Sequence, residues 1–138
     1  MARSAKETVT AYNEALTAKD WERFAELLHP ELSYEVMSFH LPGGGSTMDK
    51  ATTLQMLPGM VSAIFDADSP RIEIKNLIGE GDWVVAEAHG TGTLVEGTAY
   101  ENRYALVYEV VDGQIKTARE YMDTQQMAGL LAKVMPPE

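Results

Sequence analysis

The sequence predicts an α+β domain in which three helices and one strand precede a curved antiparallel meander. Up to Phe65 apolar residues recur at three- and four-residue spacing, interrupted by one short alternating run. From Pro70 to Met122 the period changes to two. Asp112-Gly113 then sits between two alternating segments as a two-residue hairpin signal. Helices first and paired strands afterwards are the pattern of segregated layers around one core.

The elements follow in order. From Val9, residues Tyr12, Ala15 and Leu16 fall on one helical face. Asp20 caps a second helix, with Glu22 facing its dipole and Trp21, Phe24, Leu27 and Leu28 as the buried stripe. Pro30 is expected to stop that helix. The strand "LSYEVM" puts Leu32, Tyr34 and Val36 on one side and Ser33, Glu35 and Met37 on the other. "FHLPGGGST" reads as a flexible loop, and Ser46 with Asp49 resembles a capping box opening the third helix. That helix buries Leu54, Leu57, Val61, Ile64 and Phe65, with a kink or a break expected at Pro58-Gly59. "RIEIKNLI", "WVVAEAHGTGTL", "YENRYALVYEV" and "QIKTAREYM" are strands, and "TQQMAGLLAKV" is a closing helix burying Met127, Leu130 and Leu131. A bent sheet wrapped around helices leaves a hollow where ligands sit.

Composition narrows what such a hollow holds. The 138 residues suit one domain, 1–138, and 45% hydrophobic content supplies its core. With no cysteine there is no disulfide, thiolate nucleophile or Cys-ligated zinc, and a reducing cytoplasm is the expected location. No signal-like stretch opens the chain and no run of 18 apolar residues occurs, so no membrane association is expected. A formal charge of −10 without a basic cluster repels nucleic acid. A small apolar or aromatic molecule is the expected partner.

Several residues could carry chemistry there. In "AREYMDT", Arg119, Tyr121 and Asp123 alternate, and Asp123 is either an acid–base group or the cap of the last helix, with Gln126 at capping-box spacing. Tyr12 and Tyr34 can donate to a developing enolate or simply pack. Asn102, Tyr104 and Leu106 share a strand face towards the hollow, with Asn102 and Tyr104 able to orient a substrate. His40 beside the glycine loop is a candidate mobile acid or base. Glu87 and His89 alternate with Ala86, Ala88 and Gly90, which puts the two polar residues outside. The histidines lack metal-ligand spacing, "LPGGGST" lacks the lysine of a phosphate loop, and no Gly-x-Ser-x-Gly elbow occurs.

The stretches "YNEALTAKDWERFAELLHPELSYEV", "GEGDWVVAEAHGTG" and "YENRYALVYEVVDGQIKTAREYMDT" together resemble the SnoaL-like, ketosteroid isomerase-related branch of the nuclear transport factor 2-like superfamily. The resemblance implies a cone: a strongly bent sheet around three N-terminal helices and an apolar pocket, often dimeric through the sheet's outer face. It implies Tyr12 as the counterpart of the isomerase tyrosine in Tyr-x-x-Ala-Leu, but that family's two aspartates fall on Val36 and near Leu106. Limonene epoxide hydrolases are similar at Tyr34 and Asp123, while their asparagine, arginine and second aspartate fall on Val36, Ala88 and Gly90, leaving Arg119 as a displaced substitute. SnoaL-type cyclases use one carboxylate on the last strand, which Asp123 matches, with a histidine for which His40 and His89 are stand-ins. The expectation is a cofactor-free, metal-free homodimeric enzyme acting by acid–base, aldol-type cyclisation or isomerisation of an apolar carbonyl compound. Asp123 would move the proton, Tyr34, Tyr12 and His40 would assist, and Asn102, Tyr104, Leu106, Val36, Leu57 and Phe65 would hold the substrate. Epoxide hydrolysis and a non-catalytic ligand-binding module are the alternatives.

Overall fold

A computed structural model describes residues 3–41 and 44–134. Helix α1 (Ala5–Ala18) begins four residues before Val9, because Ser4 and Glu7 form a reciprocal capping box. It ends on Lys19 in the left-handed conformation (φ 57°). There the Lys19 and Asp20 N–H groups donate to Leu16 and Ala15 carbonyls, and the Lys19 ammonium donates to the Asp66 and Ala67 carbonyls.

Helix α2 (Trp21–Glu26) is capped by Asp20 as expected, but Pro30 does not stop it. Leu28 already opens strand β1 (Leu28–Val36). Pro30, which lacks an N–H, falls where the register shifts between Leu28 and Ser33 and no ladder bond is required of it. After the glycine loop, whose Pro42 and Gly43 lie outside the described residues, a two-residue strand β2 (Thr47–Met48) pairs with β1. Asp49, not Ser46, caps α3 (Lys50–Ile64), its carboxylate accepting from the Thr52 N–H. α3 runs through Pro58 as one element rather than two. Its buried Thr53, Leu57 and Val61 hold it against its neighbours on both sides of the proline.

Strands β3 (Arg71–Glu80), β4 (Trp83–Thr93), β5 (Ala99–Val111) and β6 (Gln114–Met122) form the antiparallel meander. Asp112 and Gly113 both take positive φ, the demand of the hairpin turn that their sequence signals. The sheet order is β2-β1-β6-β5-β4-β3, and β1 joins the meander parallel to β6. Register shifts within β3 and between Glu109 and Val110 of β5 bend the sheet.

Val84, Ala86 and Ala88 on β4 face the helices and are buried, while Glu87 is exposed on the outer face. The small side chains leave room for α1. Beneath α1, Phe24 sits between Tyr12 and Trp21, with ring centroids 4.9 and 5.4 Å away. α4 (Thr124–Val134) closes the open end, burying only Leu130 fully. No helix among the described residues is long and apolar enough to cross a membrane.

Candidate active site

Between the concave face of the sheet and helices α1, α3 and α4 lies a cavity of about 140 Å³. Its lining is mostly apolar and includes Val36, Leu57, Phe65 and Leu106, four of the residues expected there. Tyr12, Tyr34 and Tyr104 also reach it.

The carboxyl in this cavity belongs to Glu120. On β6 the inward set is Ala118, Glu120 and Met122, and the outward set is Arg119 and Tyr121. Glu120 therefore lies opposite Leu106 of β5 and Val36 of β1, in the apolar wall. The Tyr34 hydroxyl donates to Glu120 Oε1. Burial raises the proton affinity of Glu120 above that of an ordinary carboxylate, and the Tyr34 hydrogen bond partly opposes the rise. The phenols of Tyr12 and Tyr34 are pushed well above their usual range, first by burial and then by neighbouring charge, Glu120 included.

Tyr108 completes the polar cluster. Its ring meets Tyr12 edge-on at 5.4 Å, and its hydroxyl accepts from Asn13 Nδ2 at 3.3 Å. The same Nδ2 donates to the Val9 carbonyl at 3.0 Å, which fixes the amide's orientation. Asn13 Oδ1 is left buried, with no partner among the described residues. One acid whose neutral form is favoured, set beside neutral phenols, can give and take a proton while the phenols stabilise a nearby oxyanion.

Asp123 is elsewhere. It is exposed, absent from the cavity lining, and its Oδ1 accepts from the Gln126 N–H at 3.0 Å as the cap of α4. The strand alternation ends at Met122, so the pattern that aligned Asp123 with Arg119 and Tyr121 does not carry it into the cavity. Asp123→Ala should cost about 1 kcal/mol of stability, and Asp123→Asn much less. Chemical denaturation of the two variants checks this, and equal losses would rule out the cap.

Asn102 is buried but spends its amide on the Asp123 backbone, donating to the carbonyl at 3.3 Å and accepting from the N–H at 3.2 Å. It anchors the start of α4 and is not among the cavity-lining residues. His40 is exposed and does not line the cavity either. Arg119 lies over the Trp83 ring at 5.4 Å, outside the cavity, and His89 faces Glu101 at 3.4 Å. No group of three potential metal-ligating side chains occurs among the described residues.

Sequence reasoning passed over Glu120. The available signal was its flanking pair: Ala118 and Met122, two residues to either side, are apolar, so a carboxyl between them on a strand shares the inward face.

The family described as SnoaL-like domain matches residues 9–118. Among similar solved structures is IdmH from Streptomyces antibioticus, described as a candidate polyketide cyclase. It is 21% identical, with a TM-score of 0.75, covering 94% of this chain and 99% of that one. An epoxide hydrolase of M. tuberculosis resembling the limonene type is 24% identical, with a TM-score of 0.74 and 96% of each chain covered. An NTF2-like protein of Burkholderia pseudomallei is 18% identical, with a TM-score of 0.77, covering 96% of this chain and 98% of that one. At these identities the likeness establishes the shared fold. None of the curated proteins compared with the chain matches it.

Proposed function

This chain belongs to the SnoaL-like domain family, and within it we propose an acid–base enzyme that moves a proton beside the carbonyl of a small, neutral, apolar substrate. The observation that carries this reading is the Glu120 carboxyl in an apolar cavity, held by the Tyr34 hydroxyl. Glu120 would take the proton from the carbon next to the carbonyl and return it elsewhere or leave an enolate for ring closure. Tyr34 would steady the carboxylate, and Tyr12 and Tyr108 would face the enolate oxygen. The apolar wall supplies binding, and the net charge of −10 favours an uncharged ligand over an anion.

Epoxide opening asks for one group to protonate the oxygen and another to activate water. Among the described residues Glu120 is the one carboxyl lining the cavity, which suits the single-base reaction better.

The test is hydrogen–deuterium exchange at the methyl group of acetophenone in heavy water, followed by proton NMR, beside a screen of simple epoxides. Catalysed exchange that disappears in Glu120→Gln is expected. Opening of an epoxide with no ketone exchange would overturn the carbonyl reading, and silence towards both would favour a binding module. Tyr34→Phe removes a hydrogen bond that lowers the Glu120 pKa. The acidic limb of its pH–rate profile, where Glu120 must lose its proton to act as the base, should therefore move to higher pH, and an unmoved limb would detach Tyr34 from the base.

We propose as well that two copies pair through the outer face of the sheet, where Ile78, Trp83 and Tyr121 are exposed. Light scattering that gives the mass of one chain at micromolar concentration would overturn this.

A further inference from the structure

A second polar point faces the cavity at some distance from Glu120. Tyr104 lines the cavity on β5, two residues before Leu106, the cross-strand partner of Glu120. At roughly 3.3 Å per strand residue, the two positions are offset by about 7 Å along the sheet. The Tyr104 hydroxyl is hydrogen-bonded to that of Tyr100, which is buried and packs edge-on against Phe65 with centroids 4.8 Å apart.

The fold makes specific room for this pair. Gly90 on β4 lies beneath both rings: a Cβ there would come within 2.7 Å of Tyr104 Cε2 and 3.4 Å of Tyr100 Cε2. Two hydroxyls that share one hydrogen bond still have a second O–H proton to place. Tyr100 is enclosed in the core, whereas Tyr104 borders open space. With Tyr100 donating to Tyr104, the Tyr104 proton is available to an acceptor in the cavity.

Cavity size sets the second limit. A space of about 140 Å³ compares with the roughly 150 Å³ engineered cavities that accommodate benzene. We infer that the substrate is a one-ring, neutral compound with two oxygen functions at opposite ends, a carbonyl for Glu120 and Tyr34 and a second oxygen for the hydroxyl of Tyr104. The assignment rests on the proposed carbonyl chemistry for its first oxygen but on Tyr104, Tyr100 and Gly90 for its second.

The experiment compares acetophenone, 4′-hydroxyacetophenone and the two-ring 6-hydroxy-2-acetonaphthone by calorimetry and ligand-observed NMR. Against the parent chain, 4′-hydroxyacetophenone should bind about tenfold tighter than acetophenone, the worth of one well-made neutral hydrogen bond, and the naphthone should bind more weakly than either. Tyr104→Phe should reduce the tenfold preference to about parity, read as the ratio of the two affinities within that one variant. Gly90→Ala, which displaces the same ring, should reduce the preference as well, and Glu120→Gln should preserve it while ending exchange.

Equal binding of the two acetophenones, a preference that survives Tyr104→Phe, or tightest binding by the naphthone each overturns the inference. So does failure of all three compounds to bind the folded parent. Exchange without the preference sinks the second-oxygen assignment alone. The preference without exchange sinks the proposed proton transfer alone.

Discussion

Replacing Glu120 by Gln is expected to lower any proton-transfer activity by about 10²- to 10⁴-fold and to make the protein more stable at neutral pH. The activity loss is the usual contribution of a positioned acid–base group, and the amide keeps the shape and a hydrogen-bonding oxygen for Tyr34. The stability gain follows from the raised proton affinity of Glu120 in the fold. Below the ordinary carboxyl pKa both folded and unfolded chains hold the proton, and the ionisation of Glu120 has no effect on stability. Above it the unfolded chain releases the proton while the fold retains it, so stability falls as pH rises, until the folded group also ionises. Gln does not titrate. The difference between variant and parent should grow from about pH 4.5 upwards and then level off above the folded pKa. Urea unfolding across pH 4 to 9 measures it. A parent that gains on the variant with rising pH would mean that Glu120 is not desolvated, and the proposed base would lose its physical basis.

Phe24→Ala should destabilise the fold by about 3–5 kcal/mol, the range for deleting a buried aromatic ring. Phe24 is 0% exposed and is packed between Tyr12 and Trp21. Its loss opens a void under the α1 residue that forms part of the cavity wall. For a chain of this size the melting temperature should fall by roughly 10–20 °C. Phe24→Leu, which keeps most of the volume, should recover more than half of that loss. Ligand affinity in the Ala variant should weaken even where it remains folded, because Tyr12 loses its support. A melting temperature within a few degrees of the parent would show that the site under α1 collapses to fill the gap.

The two variants bear on different links of the same chain. Phe24 acts through packing: it holds Tyr12, which edges against Tyr108, whose hydroxyl accepts from Asn13. Glu120 acts through charge, and its setting depends on the same wall staying dry. A loss of activity in Phe24→Ala with an unchanged pH profile would separate these roles, since the carboxyl's environment would then be intact.

Local signals in the chain sufficed wherever the cause was local. Asp20 capped α2 because a short carboxylate one residue before a helix meets its free N–H groups whatever lies beyond. Asp112-Gly113 turned because both residues tolerate positive φ. Period alone separated Ala86 and Ala88, buried, from Glu87, exposed. The Ser4–Glu7 capping box is a signal of the same local kind, and it sets the start of α1.

What the chain order could not convey was which carboxyl meets the cavity. Asp123 and Glu120 are three residues apart, and each is compatible with a strand end. The strand stops at Met122 because Asn102, 21 residues away, clamps the Asp123 backbone and starts α4 there. Likewise, the parallel docking of β1 on β6 brings Tyr34 to Glu120 across 86 residues of sequence. Long-range pairings of this kind are set by the packing of elements that do not touch along the chain. Composition and periodicity were enough for the α+β architecture and a bent sheet with a hollow, while Tyr12 and Tyr34 in its wall followed from the family resemblance. Only the tertiary structure put the half-buried Glu120 carboxyl in the apolar cavity wall and left Asp123 as the exposed cap of α4, because what surrounds a group in space is not set by its neighbours in sequence.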